Sequence, residues 1–116
     1  MIRATLCALL FSAALMAADI TGKWDFSVET AQGSGNPSFE FKQEGEKLTG
    51  SYSGLFGTAK VTGTVKGDAV EFEFTVSQDG QSGKIQYKGT VESPSRMKGT
   101  VALASFGEGT WTATKK

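Results

Sequence analysis

A glycine flanked two residues away on each side by an apolar residue recurs along this chain of 116 residues, and this pattern constrains the fold most. The copies begin at Ile20, Leu48, Val61, Tyr87, Met97 and, in a degenerate form, Gly107. Because side chains in a strand alternate between two faces, the glycine shares a face with the apolar residues. Glycine normally weakens a strand, so its repetition on the buried face predicts a sheet that bends tightly around its own interior.

The N-terminal segment has the layout of a secretory signal peptide. Arg3 supplies a positive charge, residues 4–16 form an apolar run, and Ala17 and Ala18 precede the first acidic residue, Asp19. The apolar run is too short for a membrane span. We therefore predict a signal peptide at residues 1–18, export to the periplasm or the extracellular space, and no transmembrane segment in the mature chain.

The mature chain is predicted to be one small domain, residues 19–116, held together by its core alone. The one cysteine, Cys7, falls in the predicted signal peptide, so no disulfide is expected. Removing Arg3 from the twelve basic residues leaves the remainder nearly balanced by twelve acidic residues. Such a balance does not favour nucleic acid as a partner.

Apolar and polar residues alternate in eight segments, which indicates eight strands with one dry and one wet face. The outward positions are mainly Thr, Lys, Glu, Ser and Asp. The predicted inward residues, strand by strand, are Trp24, Phe26 and Val28; Phe39 and Phe41; Leu48, Gly50 and Tyr52; Ala59, Val61, Gly63 and Val65; Val70, Phe72, Phe74 and Val76; Ile85, Tyr87, Gly89 and Val91; Met97, Gly99, Val101 and Leu103; Gly109, Trp111 and Ala113.

Short connections rich in glycine, serine, aspartate and proline separate these segments, so consecutive strands are expected to be antiparallel neighbours. A Greek-key sandwich needs a long crossing connection, and the spacing of the strands provides none. We predict an all-β domain, a single eight-stranded antiparallel up-and-down (meander) barrel, with a two-sheet sandwich as the alternative.

The first predicted strand resembles a known barrel family. Gly22-Lys23-Trp24 is similar to the Gly-x-Trp signature of the calycins, the group that contains lipocalins, fatty-acid-binding proteins and avidins. The stretches 20–24 and 48–57 also resemble the first and third strands of avidins. Tyr52 matches the avidin tyrosine, whereas Phe26 stands where avidins place a ligand-binding asparagine. The resemblance therefore implies a calycin-like barrel that does not bind biotin.

In a meander, the connections after the first, third, fifth and seventh strands share one end of the barrel, called the mouth here; the opposite end is the floor. Leu55, Phe56 and Phe106 lie in glycine-flanked connections of the mouth, where polar residues would suffice. They are interpreted either as a lid that folds onto the core or as a contact for a ligand or partner. Together with Tyr52 and Trp111, they are the predicted ligand-binding residues.

The interior decides between two functions. Its bulky aromatic residues favour a solid core, whereas its glycines favour a cavity. The polar groups on the inward side are the hydroxyls of Tyr52 and Tyr87 and the indole N–H groups of Trp24 and Trp111, so a ligand should be small, neutral and apolar.

The first hypothesis is a secreted or periplasmic, non-catalytic, calycin-like barrel that binds such a ligand at the mouth. The alternative is a solid-core barrel that acts through the same loops as an envelope protein or as a protein-binding or inhibitor module, its partner being another secreted or envelope protein.

The sequence contains few residues suited to catalysis. The chain contains no histidine, its one cysteine lies in the predicted signal peptide, and no group of residues has metal-ligand spacing. The paired carboxylates Glu71 and Glu73 are predicted to face outward and to form surface ion pairs with Lys66 and Lys88 respectively. We therefore expect no enzyme activity, no catalytic residue, no cofactor and no bound metal.

Overall fold

The computed structural model describes residues 18–31, 33–78, 80–103 and 107–116. Within these ranges no helix has the length and apolar character needed to cross a membrane. Apart from Ala18, the predicted signal peptide lies outside the described residues. The strands are β1 (Gly22–Thr30), β2 (Gly33–Gly35), β3 (Ser38–Glu44), β4 (Lys47–Gly54), β5 (Gly57–Lys66), β6 (Ala69–Gln78), β7 (Gln81–Ser93), β8 (Arg96–Leu103) and β9 (Glu108–Lys115).

The strands form one antiparallel sheet that closes on itself. From β3 to β9 each strand pairs with the next in the chain, and β9 pairs back with β1. The three-residue strand β2 pairs with the end of β1, and β3 pairs with its beginning, so β2 and β3 together occupy one position beside β1. The predicted eight-stranded up-and-down barrel is therefore confirmed, and the sandwich alternative is wrong.

Alternation within the strands sets which residues form the core. The predicted inward side chains are buried, except that Ala59 and Val91 are half-buried against the core. Two further residues, Ile20 and Pro37, are buried although they precede strands rather than lie within them. Each strand thus contributes an apolar face to one common interior.

The inward glycines allow neighbouring strands to approach closely. A Cβ atom at Gly99 would collide with the main-chain carbonyl of Lys88 on β7. A Cβ atom at Gly89 would lie 2.6 Å from Cζ2 of Trp111, whose ring covers this part of β7. The glycines therefore permit the predicted tight bend by removing side chains that would separate the strands, and at Gly89 the ring of Trp111 uses the space.

Strands β5 and β6 are paired over only half of their length. Their register runs from Lys66–Ala69 to Thr62–Glu73 and ends there, although both strands continue to the mouth. Over the remaining length β5 still pairs with β4, and β6 still pairs with β7. Residues 57–61 and 74–78 thus border an unpaired stretch of the wall, called the seam, which runs from the middle of the barrel to the mouth.

The chain that precedes β1 closes the floor. Ala18 N–H donates to the Gly67 carbonyl at 3.0 Å, and Ile20 N–H donates to the Gln43 side-chain carbonyl at 3.0 Å. Ile20 is 1% exposed, and its own carbonyl accepts a hydrogen bond from the Trp24 indole N–H at 2.9 Å. Main-chain and side-chain bonds therefore hold this segment across the end of the barrel.

The carboxylates of β6 face outward as predicted, but their predicted ion pairs are wrong. Glu71 lies opposite Lys88, and Glu73 pairs with Lys84 at 3.5 Å between the carboxylate oxygen and the ammonium nitrogen. The connection between β5 and β6 contains two residues, which places Lys66 at the closing pair of the hairpin, away from Glu71. Both carboxylates belong to the solvated outer wall.

Candidate functional site

The mouth is the end of the barrel where the core meets solvent. The most exposed members of the core are Val28, Val76 and Leu103, at 8–9% relative exposure, and each lies near the mouth end of its strand. Core residues beside the floor, such as Val65 and Val70, are 0% exposed. The apolar interior therefore reaches the surface at the mouth and is sealed at the floor.

The β4–β5 hairpin places Leu55 and Phe56 at the mouth in different environments. Leu55 is 87% exposed, whereas Phe56 is half-buried and packs against the core. Gly57 follows with a φ of 93°, a left-handed conformation that glycine adopts readily and that returns the chain into β5. Leu55 thus fits the contact interpretation, and Phe56 fits the lid interpretation.

Tyr52 links this hairpin to the core. Its ring stacks on Phe74, with 4.3 Å between the ring centroids and 18° between the ring planes. Its hydroxyl oxygen accepts a hydrogen bond from the Phe56 N–H at 3.3 Å. Burial raises the pKa of Tyr52 and the Phe56 bond opposes that rise, so the phenol is protonated at neutral pH. Tyr52 therefore fastens the Phe56 lid to the aromatic core through a neutral hydrogen bond.

Trp111 lies deeper than a residue of the mouth surface. It is 2% exposed, and its ring stacks on Phe26 with 4.9 Å between centroids. Its indole N–H donates to the Thr100 carbonyl at 2.8 Å, so this donor is already satisfied. Trp111 therefore contributes to the aromatic layer beneath the mouth.

The structure brings together Tyr52, Leu55 and Phe56 on one hairpin, while the predicted ligand-binding residue Phe106 lies outside the described residues. Sequence alternation did not identify Pro37, which is buried and whose Cβ lies 3.0 Å from where a Cβ at Gly54 would be. A proline directly before a strand was the available signal for its position. Pro37 extends the apolar surface of the hairpin toward β1.

Aromatic rings fill the middle of the barrel. The ring of Tyr87 lies at the centre of this layer. Its neighbours, at 4.9–5.9 Å between centroids, are Phe26, Phe39, Phe72, Phe74 and Trp111. On the mouth side of this layer the inward positions of β5 and β6 carry the smaller side chains Ala59 and Val76. The inward side chains of these two strands are therefore smaller beside the mouth than in the aromatic layer.

Charge is distributed unevenly between the two ends. Asp79 is the one charged residue in the sequence of the connections at the mouth, whereas Glu46 and Asp68 lie in the floor connections, beside Lys66 and Arg96 at the strand ends. Among the described residues no charged side chain is buried, and the polar atoms of buried side chains belong to tyrosine and tryptophan. A ligand without formal charge suits this nearly uncharged mouth above an apolar core, because its binding would not bury an unpaired ion.

Grooves also occur on the outer wall. One groove of about 550 Å³ crosses β7, β8 and β9, where it is lined by Lys88, Lys98, Thr100 and their neighbours. Another, of about 380 Å³, crosses β5, β6 and β7 beside Glu71. Threonines and lysines line the first groove, with the glycines of β7 and β8 and the edge of Trp111 at its base, and glutamates take part in lining the second. Both grooves lie on the solvent-facing wall. In the described part of the chain no group of three or more His, Cys, Asp or Glu side chains is placed to share a metal ion.

Comparison with known proteins supports the barrel. No family model matches the sequence, and no curated protein matches it significantly. A redesigned β-barrel of known structure is similar, with a TM-score of 0.69 and 19% identity over 84% of this chain and 91% of that chain. The redesigned β-barrel mFAP1, bound to DFHBI, gives a TM-score of 0.65 and 18% identity over 84% of this chain and 94% of that chain. EF1p2_mFAP2b, also bound to DFHBI, gives a TM-score of 0.62 and 18% identity over the same shares. At these identities the similarity shows the fold alone, and it does not show membership of the calycins.

Proposed function

We propose that this protein is an exported, non-catalytic, calycin-like β-barrel that binds a small, uncharged, apolar molecule at its mouth. The observation that carries the proposal is the apolar surface of that end. Leu55 is 87% exposed, and the most exposed core residues, Val28, Val76 and Leu103, lie at the same end. An apolar side chain held in water where the core itself reaches the surface favours contact with an apolar molecule. Export rests on the signal-like sequence of residues 1–18.

The ligand would occupy the place now taken by the Phe56 lid. Phe56 is only half-buried, and its N–H bond to Tyr52 is a 3.3 Å bond between neutral groups. Such a bond contributes about 1 kcal/mol, so an incoming apolar molecule can displace the lid at modest cost. Displacement would expose the Tyr52–Phe74 stack, which offers a flat apolar surface.

The fold neighbours support a ligand-binding role. In mFAP1 and in EF1p2_mFAP2b, barrels similar to this one hold DFHBI. A barrel of this size and topology can therefore accommodate a small molecule, although the aromatic layer of this chain directs the ligand toward the mouth.

A titration with Nile red, an uncharged dye whose fluorescence rises in apolar surroundings, tests the proposal. The purified protein should give a saturable rise in fluorescence. Leu55→Ser should weaken binding by about tenfold, because it removes most of one apolar side chain from the contact. Ala69→Ser, an exposed position beside the floor, is the matched control and should bind as the unchanged protein does. A signal that does not saturate, or equal affinities in all three proteins, would contradict binding at the mouth.

The filled aromatic layer favours the second candidate function, a solid-core barrel that contacts another exported protein through the same loops. Native mass spectrometry of the protein isolated from its own source distinguishes the two. An added mass of a few hundred daltons that is lost on denaturation would support the ligand binder. A complex with a second polypeptide would support the protein-binding or inhibitor module.

A further inference from the structure

Tyr87 carries a hydroxyl group into the interior of the barrel. It is 3% exposed, and its ring stacks on Phe72 with 4.9 Å between centroids and 13° between ring planes. It also meets the rings of Phe26 and Phe39 edge-on. These contacts involve the ring alone, so a phenylalanine would make them equally well. The hydroxyl group needs a separate explanation.

The other polar atoms on the inward aromatic residues have protein partners. The Trp24 and Trp111 indole N–H groups donate to main-chain carbonyls, and the Tyr52 hydroxyl accepts from the Phe56 N–H. The Tyr87 hydroxyl has no hydrogen-bonding partner in the protein as far as the structure describes the chain. A buried hydroxyl without a partner destabilises the folded state, and such groups are rare. The exception indicates a group that is kept free for something other than the fold.

The electrostatic surroundings define what could bond to this hydroxyl. Burial raises the pKa of Tyr87, and the nearby Tyr52 raises it further, so the hydroxyl is protonated and able to donate. No charged side chain is buried in the described ranges, so an ionic ligand group would have no counter-charge there. The suitable partner is an uncharged acceptor, such as a ketone oxygen, an ether oxygen or a heterocyclic nitrogen.

The seam provides a route from the mouth to Tyr87. The mouth end of the β4–β5 hairpin, which carries Tyr52 and the Phe56 lid, is paired with β3 on one side and is unpaired on the side of β6. Outward movement of this end therefore breaks no ladder bond to β6. It would open the space beside the Tyr52–Phe74 stack, and Phe74 is itself a ring neighbour of Tyr87 at 5.9 Å.

We propose that the Tyr87 hydroxyl is the hydrogen-bond anchor of the ligand, donating to an acceptor atom of an uncharged, planar aromatic molecule that enters past the β4–β5 hairpin. This inference rests on the proposed function and specifies its ligand class. Planarity follows from the flat ring faces of this layer, Tyr52 with Phe74 and Tyr87 with Phe72, on which a flat molecule can stack.

A pair of matched probes tests the anchor. Fluorene and 9-fluorenone share one flat tricyclic skeleton, and only 9-fluorenone has a carbonyl acceptor. The ratio of their dissociation constants, measured by quenching of tryptophan fluorescence, should favour 9-fluorenone in the unchanged protein. Tyr87→Phe should reduce this ratio by about tenfold, because it removes the donor and leaves the ring. Ala69→Ser, on the outer wall beside the floor, is the control and should leave the ratio unchanged. An equal fall of the ratio in Tyr52→Phe would assign the donor to Tyr52 and overturn the anchor at Tyr87. The infrared carbonyl stretch of bound 9-fluorenone should also move toward that of the free ketone in Tyr87→Phe.

The remaining outcomes separate this inference from the proposed function. An unchanged ratio and an unchanged carbonyl stretch in Tyr87→Phe would overturn the anchor and leave binding at the mouth intact. Equal affinities for the two tricyclic probes in the unchanged protein would overturn the requirement for an acceptor atom in the ligand. If Nile red, fluorene and 9-fluorenone all fail to bind, the proposed function is overturned as well.

Thermal unfolding without any probe tests the premise. An unpaired hydroxyl predicts that Tyr87→Phe unfolds at the same or a higher temperature than the unchanged protein, whereas Tyr52→Phe, which loses the bond from Phe56, unfolds at a lower one. A clear fall in Tm for Tyr87→Phe would show that its hydroxyl is already bonded in the free protein, through a buried water for example, and would overturn the inference.

Discussion

Tyr52 and Tyr87 place phenol groups in a core where, among the described residues, no charged side chain is available to stabilise a phenolate. Burial raises the pKa of both above the ordinary value of 10.0. Above that pH the unfolded chain loses protons that the folded protein keeps, so alkaline conditions favour unfolding. Below it, the stability contributed by the two protonated phenols is fully present.

This linkage predicts a fall in stability at alkaline pH that depends on Tyr87. The free energy of unfolding should fall above pH 10.0 with a slope of up to about 1.4 kcal/mol per pH unit for each buried tyrosine. Tyr87→Phe should show a shallower fall, because one of the two groups is removed. Urea unfolding at a series of pH values between about 8 and 11.5 measures both slopes. Since both proteins share every lysine, equal slopes would contradict a raised pKa at Tyr87.

At Gly99 the absence of a side chain allows β8 to approach β7 closely. An added Cβ would collide with the Lys88 carbonyl and lie 2.5 Å from the Cα of Gly89 on the paired strand. We expect Gly99→Ala to lower the free energy of unfolding by about 1–3 kcal/mol. Gly35→Ala is the matched control: its added Cβ would meet nothing within 4 Å, so a change within about 0.5 kcal/mol is expected. Urea midpoints compare the two, and a similar loss in both would refute close strand approach as the role of Gly99.

At the scale of the element, the strands could be predicted because inward and outward positions are a local property. Phe72 and Phe74 alternate with Glu71 and Glu73, and this pattern alone identifies β6 and its buried face. Burial of Ile20 could not be predicted in the same way, because it depends on the chain crossing the floor after the whole barrel has closed. Alternation describes single strands and contains no information about such closure.

The pairing between strands was harder to predict from the sequence. The seam has the same alternation as the paired part of β5 and β6, so no local signal marks it. The register at Lys66 depends on the geometry of a two-residue turn, which moved the predicted ion pairs to other partners. At the candidate site, apolar residues in a glycine-flanked loop pointed to Leu55 and Phe56. Their separate environments follow from the turn conformation at Gly57, which composition does not specify.

The seam predicts a specific pattern of hydrogen exchange. Val65 N–H donates to the Glu46 carbonyl, so the odd-numbered amides of β5 face β4 and the even-numbered amides face β6. Lys60 N–H therefore points into the seam, while Thr64 N–H faces the paired part of β6. We expect Lys60 to exchange as fast as an exposed loop amide and Thr64 to be strongly protected. Exchange followed by NMR compares the two amides within one strand, and equal protection would mean that the wall is closed to the mouth in solution.

At the scale of the whole molecule, the two halves of the barrel differ in pairing and in charge. In the floor half β5 and β6 are paired as far as their turn, the segment that carries Ile20 crosses the end of the barrel, and the connections are charged. The mouth half contains the seam, the Phe56 lid and the exposed Leu55. A sealed half thus supports a half in which β5 and β6 can separate without breaking the rest of the ladder, which suits a site that must open to admit its ligand.

This asymmetry predicts that binding at the mouth is nearly independent of salt. Among the residues that the structure describes, the charged groups nearest the mouth are Glu29 and Glu108, which are exposed and therefore screened by water and ions. The affinity for Nile red should change by less than about twofold between about 0.02 and 0.3 M sodium chloride, since apolar contact rather than ion pairing supplies the binding energy. A several-fold loss of affinity with salt would show that charged groups contribute to binding, and would argue against the nearly uncharged mouth as the binding site.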